Sequence, residues 1–224
     1  MSHQKLPNRS YAALLFDMDG TILNSIAVAN RVWTTWAERH GIDPAEVRAL
    51  MHGVQAAETV RRFAKPGMDP DHEAALITAA EIEDVEGVVE IAGARHLLDQ
   101  LADARWAVVT SAPSALALRR MEAAGLPLPP VMISAEDIAN GKPAPDCFLA
   151  AASALGVAIE DCLIWEDAPA GIAAAEAAGA AAIIVVRAAH DDPPSTSHSV
   201  VRDYRGLAVA VQADGSIRLT GVTP

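Results

Sequence analysis

The sequence predicts an α/β protein: a doubly wound parallel sheet interrupted by an all-helical insertion. Three observations carry that expectation. Short, continuous apolar runs recur at "YAALLFD", "WAVVTS", "PVMISA", "DCLIWED" and "AAAIIVV", as in strands buried on both faces. Between the later runs lie helical stretches with clear start and stop residues, and such alternation implies parallel strands joined by crossovers. Of the 224 residues, 51% are hydrophobic but only 4% aromatic. The surplus is alanine, which favours closely packed helices over an aromatic-rich β-sandwich.

The N-terminal "MSHQKLPNRS" has no apolar core segment or small-residue cleavage site, so it does not read as a signal peptide. The "NRS" at Asn8 is then an accidental sequon. The first strand runs from Tyr11 to Asp17. From about Ile26 to Glu90 the pattern is helical. Ile26, Ala29, Val32, Trp33 and Trp36 share one helical face, while Asp43-Pro44 and Asp69-Pro70 each start a further helix. The tryptophans read as packing residues. After "WAVVTS" and "PVMISA" comes "PDCFLAAASALG", with Pro145 suited to a first helical turn and Gly156 to a C-cap. The stretch "PAGIAAAEAAG" repeats that grammar with Pro169 and Gly179. The last apolar run gives way to "RAAHDDPPSTSHS", read as a solvated loop and not as a metal site at His190, Asp191 and Asp192. Finally, "AVAVQADGSIRL" alternates around Asp214-Gly215 like a hairpin. The expected division is a Rossmann-like core of residues 1–24 and 91–224 with a helical cap of residues 25–90.

The formal net charge is -12, and lysine and arginine form no run. A nucleic-acid or anionic-membrane surface is therefore not expected, and no apolar run reaches the ~18 residues of a membrane span. Cys147 and Cys162 lack any metal-ligand spacing, so they read as reduced thiols in a cytoplasmic, monomeric protein. Neither a GxxxxGK nor a GxGxxG phosphate loop occurs.

In an open parallel sheet, ligands bind beyond the carboxyl ends of the strands. Here those ends are polar. The first run ends in Asp17-Met18-Asp19-Gly20-Thr21, another in Thr110-Ser111 and a third in Glu166-Asp167, while Lys142 precedes a helix in "NGKPAPD". Two unit charges ~4 Å apart at an effective dielectric of ~20 interact by ~4 kcal/mol. Four converging carboxylates therefore call for compensating cations, and Lys142 with an oxygen-ligated Mg²⁺ would supply them. Such a site can perform phosphoryl transfer. One aspartate attacks, the second handles the proton, Thr110 and Ser111 hold phosphoryl oxygens, and Lys142 balances charge.

These motifs, in this order, resemble the haloacid dehalogenase superfamily of phosphohydrolases from about Tyr11 to Val186. "DMDGT" is similar to the family's DxDGT signature, and the end of "VVTS", the lysine of "GKPAPD" and the acidic pair of "WEDAPAG" to its next three motifs. The resemblance implies Asp17 as nucleophile and Asp19 as general acid/base. It also implies Mg²⁺ held by Asp17, the Asp19 backbone carbonyl and Asp167, with Glu166 in support. The helical insertion resembles the family's mobile cap, hinged near Asn24-Ser25 and between Gly87 and Gly93, with Ala92-Gly93 where relatives have proline-glycine.

Through the cap, "RVWTTWAERHGI" and "MHGVQ" look most like the small sugar-phosphate and polyol-phosphate phosphatases, the hexose-phosphate, 2-deoxyglucose-6-phosphate and glycerol-phosphate types. That likeness implies a small phosphorylated metabolite as partner and makes His52, Gly53 and Gln55 candidate hydroxyl readers, with Val54 a departure. Arg61 and Arg62 are either ester-holding or a solvated helix face. A β-phosphoglucomutase-like enzyme would use the same core residues, and a phosphonoacetaldehyde hydrolase would need a cap lysine, of which Lys65 is the only one. A catalytically silent phospho-metabolite-binding protein would be expected to have lost Asp17, Asp19, Lys142 or Asp167, and all four are present.

Overall fold

The structure, a computed structural model, describes residues 6–189 and 195–221. The stretch containing His190, Asp191 and Asp192 lies outside them. In chain order the elements begin with β1 (Ser10–Tyr11), β2 (Ala13–Phe16) and β3 (Leu23–Asn24), followed by α1 (Ile26–Arg39), α2 (Pro44–Met51), α3 (Ala56–Phe63), α4 (Pro70–Glu83) and β4 (Val89–Glu90). Next come α5 (Ala94–Asp99), β5 (Trp106–Val109), α6 (Ser114–Ala123), β6 (Val131–Ile133), α7 (Asp146–Ala154), β7 (Cys162–Glu166) and α8 (Pro169–Ala178). The chain closes with β8 (Ala182–Val186), β9 (Ser199–Val201), β10 (Leu207–Val211) and β11 (Ile217–Gly221).

The central sheet has six parallel strands in the order β6-β5-β2-β7-β8-β9. Each of the expected apolar runs supplies one of them. Successive residues point to opposite faces. Leu14, Phe16, Trp106, Val108, Leu163 and Trp165 therefore pack with α5 and α6 on one side. On the other, Leu15, Ala107, Val109 and Ile164 pack with α7 and α8, which meet the sheet through Phe148, Ala151, Ala174 and Ala175. Alanine there lets helix and sheet approach closely. Phe16 stacks on Trp165 with ring centroids 5.7 Å apart, and burying such a side chain contributes about 1.5–3 kcal/mol.

Helices α1 to α4 share a separate apolar cluster of Trp33, Trp36, Val47, Met51, Val60 and Ile77. Their starts follow the local chemistry. Asp43 accepts the Ala45 N–H at 2.8 Å, and Asp69 accepts those of Asp71 and His72 at 3.1 and 3.3 Å, each just before a helix-initiating proline. The two chain crossings into this layer lie side by side, because β3 and β4 pair antiparallel with Leu23 opposite Glu90 and Asn24 opposite Val89.

The hairpin forms as its alternation predicts, β10 pairing with β11, and β1 adds to it as a third strand. The sequence reading has no counterpart for β9. Three residues directly after a polar loop carry too little periodicity to announce a strand. Cys147 in α7 and Cys162 in β7 are buried free thiols. Burial, with Asp161 and Glu160 adding to it, pushes Cys162 up to about 11. No helix among the described residues is long and apolar enough to cross a membrane.

Candidate active site

Strand register brings the chemistry together. Phe16 lies opposite Val108 and Trp165, so Asp17, Thr110, Glu166 and Asp167 all emerge at one edge of the sheet. Lys142 reaches the same place from the loop before α7. Its Nζ donates to Asp17 Oδ1 at 2.5 Å and to Glu166 Oε1 at 2.7 Å, and only 1% of the residue is exposed. Burial works against the Lys142 charge, but Asp17 and Glu166 outweigh it and hold the ammonium well above its ordinary range. Burial pushes the Asp17 carboxyl well up. Lys142 opposes that, and Glu166 and Asp167 add to it by repulsion.

Glycines make this density possible. Gly20 has φ +89°, and a Cβ there would stand 1.9 Å from Asp167 Oδ2. At Gly171 in α8, a Cβ would meet Glu166 Oε1 at 1.5 Å. Glu166 is thus folded back under the turn, where its Oε2 accepts the backbone N–H groups of Asp167 and Ala168 at 2.7 and 2.8 Å. Asp167 is steadied by the Thr21 hydroxyl, which donates to its Oδ1 at 3.1 Å.

One oxygen each from Asp17, Glu166 and Asp167 lies within 4.8 Å of the others, and all three residues are buried. Among the described residues, these three buried carboxylates gather around the Lys142 ammonium. An all-oxygen donor set of this kind fits a hard divalent cation that shares its remaining positions with water or phosphate.

Asp19 lines the crevice beside Asp17. Its Oδ1 accepts from Ser25 Oγ at 2.5 Å and from Arg120 Nη1 at 3.0 Å. Arg120 was not among the candidates read from the sequence, nor was its second partner, Glu81 of α4, whose Oε1 lies 3.0 Å from Arg120 Nη2. Both are 5% exposed. A signal was there. Arg120 falls with Leu116, Ala117 and Met121 on the buried face of α6, and Glu81 with Ala74 and Ile77 on that of α4, so each is a charge on an apolar stripe.

Thr110 and Ser111 also line the crevice. The Thr110 hydroxyl accepts the Ala112 N–H at 3.0 Å, and Ser111 Oγ donates to the Gly53 carbonyl at 2.9 Å, tying β5 to the turn after α2. His52, Gly53 and Val54 face the crevice from that turn. Gln55 is set to one side, its Nε2 3.4 Å from the Ala135 carbonyl. Arg61 and Arg62 pair on the exterior with Asp71 and Glu58, each at 2.6 Å, and do not line the crevice. Lys65 is likewise elsewhere, donating to the carbonyls of His40 and Gly41.

Fold and site together define an α/β enzyme with an acidic crevice at the carboxyl ends of its strands. The chain belongs to the haloacid dehalogenase-like hydrolases, whose family model matches residues 11–179. It is 41% identical to hexitol phosphatase A of Escherichia coli over 167 residues, covering 73% of this chain and 77% of that protein. It is 38% identical to validoxylamine A 7'-phosphate phosphatase of Streptomyces hygroscopicus, covering 74% and 81%. Against 2-deoxyglucose-6-phosphate phosphatase 1 of Saccharomyces cerevisiae the identity is 32%, covering 73% and 75%. Among solved structures, CbbY from Rhodobacter sphaeroides bound to phosphate superposes with a TM-score of 0.74 at 23% identity, covering 87% of this chain and 95% of that one. A β-phosphoglucomutase from Clostridium difficile superposes at 0.73 with 19% identity, covering 86% and 91%. Those last two likenesses speak to the fold.

Proposed function

We propose that the protein is a Mg²⁺-dependent phosphatase of small phosphorylated sugars or polyols, acting through an aspartyl-phosphate on Asp17. The observation that carries the reading is the convergence of Asp17, Asp19 and Lys142 with the Glu166-Asp167 pair at one sheet edge. The sugar-phosphate and hexitol phosphatases to which the chain is similar support the substrate class.

In the first step, an Asp17 oxygen attacks phosphorus and the ester P–O bond breaks. Asp19, protonated, gives its proton to the departing alkoxide. In the second, Asp19 takes a proton from water as that water attacks phosphorus, the Asp17–phosphorus bond breaks, and inorganic phosphate leaves. Lys142 keeps Asp17 oriented and offsets charge throughout, while Thr110 and Ser111 hold phosphoryl oxygens. Asp17, Asp167 and the Asp19 carbonyl would hold Mg²⁺, and Glu166 would anchor Lys142 and the turn behind them. When bound, the ion supplies positive charge to neutralise the phosphoryl oxygens.

Residues 25–90 act as a cap over the core of residues 1–24 and 91–224, hinged at the β3–β4 ribbon and closing over substrate to exclude water. His52 is the cap's foremost hydroxyl reader, because it faces the crevice where Gln55 does not. Buried free thiols suit a reducing compartment, and a net charge of -12 favours a soluble monomer; we assign the enzyme to the cytoplasm.

The test is phosphate release, with Mg²⁺ and with a chelator, across hexose, deoxyhexose, pentose and polyol phosphates, including β-glucose 1-phosphate with a bisphosphate primer. Mg²⁺-dependent release from a sugar or polyol ester is expected. Isomerisation to glucose 6-phosphate without release would establish a mutase instead, and turnover of no phosphate ester would leave a binding protein.

A further inference from the structure

Asp19 is gripped by two groups that sit where the helical layer meets the sheet. Ser25, at the first chain crossing, precedes α1, and Arg120 belongs to α6. Both donate to the same oxygen, Oδ1, and so fix that side of the carboxylate. Arg120 in turn is 5% exposed and has its Nη2 3.0 Å from Glu81 Oε1. That approach is an ion pair without a well-aligned hydrogen bond, since Nη2 and Nε lack a directed acceptor. A guanidinium so buried needs both carboxylates to stay in place. Yet the two carboxylates come from different parts of the molecule, Asp19 from the turn after β2 and Glu81 from α4 of the insertion.

We infer that Glu81 and Arg120 form a positioning relay that orients Asp19 for proton transfer only while α4 is packed against α6. The inference rests on the acid/base reading of Asp19. With the insertion closed, Glu81 holds one arm of Arg120 and the other arm fixes Asp19 Oδ1. When α4 moves away, Arg120 loses Glu81, and the arm that holds Asp19 Oδ1 is no longer braced from behind. The acid/base is thereby braced in one orientation while α4 covers the crevice. Glu81 and Arg120 touch the reaction through Asp19 alone; they are positioning residues and not catalytic ones.

The discriminating experiment measures the phosphorylation step by rapid mixing for Glu81→Gln, Arg120→Met and the double variant, each in the wild-type and Asp19→Asn backgrounds. Two probes are used: glucitol 6-phosphate, whose alkoxide needs a proton to leave, and p-nitrophenyl phosphate, whose phenolate does not. Glu81→Gln is expected to slow the alkyl ester about tenfold to a hundredfold, as a modest misplacement of a reacting group does, with little change in KM. The aryl burst should be nearly unchanged, and neither substitution should slow the Asp19→Asn background further. Equal losses on both esters, or equal losses in both backgrounds, would mean a structural role and overturn the relay, as would wild-type rates in Glu81→Gln. Should Arg120→Met fail to fold, judged by near-ultraviolet circular dichroism, Glu81→Gln and the charge-free double variant still decide. If Asp19→Asn itself turns over the alkyl ester like wild type, the acid/base reading fails. If Asp19→Asn is impaired and Glu81→Gln is not, the relay alone fails.

Discussion

Lys142 Nζ stands 2.5 Å from Asp17 Oδ1 with 1% of the lysine and 5% of the aspartate exposed. A buried ion pair of this kind gains little over an apolar pair of the same shape, but either half left alone is costly. Lys142→Met would leave Asp17 and Glu166 facing one another without a cation. It should destabilise the fold by about 3–5 kcal/mol and abolish phosphate release. Urea denaturation measures the first effect, and an unchanged midpoint would show that the carboxylates find another partner.

Asp17→Asn removes the nucleophile and keeps its shape. Steady-state phosphate release should fall to background while circular dichroism stays native. Residual multiple turnover above background would remove Asp17 from the nucleophile's role.

The Asp17, Glu166 and Asp167 cluster predicts that Mg²⁺ stabilises the folded chain. A ligand that binds only the native state adds about 2.7 kcal/mol at a hundredfold excess over its dissociation constant. The melting temperature should therefore rise with added Mg²⁺ and fall back with chelator, and Asp167→Asn should greatly weaken the response. A Mg²⁺ shift undiminished in Asp167→Asn would place the ion elsewhere.

Glu81 gives a pH signature. Burial raises its carboxyl pKa; Arg120 and Trp33 oppose that, and Asp19 adds to it. The folded state then binds the proton more tightly than the unfolded chain. Glu81 contributes stability that is whole below the unfolded value of about 4.3 and is lost as pH rises through the folded value. Relative to Glu81→Gln, the wild type should lose unfolding free energy as pH rises from about 4 towards neutrality. Urea denaturation of both proteins across that range checks it, and a constant difference would contradict the raised value.

Much of this protein was legible in its sequence. The apolar runs announced the parallel strands, because strands buried on both faces must be apolar throughout. The acids, hydroxyls and lysine at the run ends announced the crevice, because the carboxyl edge of such a sheet is where its polar residues can converge. Local chemistry also placed the starts of α2 and α4, through Asp43-Pro44 and Asp69-Pro70. Tertiary structure decided what local pattern does not encode. Arg120 and Glu81 are 39 positions apart, and although each is a charge on an apolar stripe, only the packing of α4 on α6 pairs them with one another and Arg120 with Asp19. Likewise, Gly171 reads as a helix residue, yet the fold shows that Glu166 occupies the space its missing side chain leaves. Arg61 and Arg62 went the other way, since an arginine's local sequence does not say whether its long arm turns inward or to solvent. The strand ends were determined by where continuous apolar runs stop, a short-range property; the grip on Asp19 depends on long-range packing, which only the folded chain specifies.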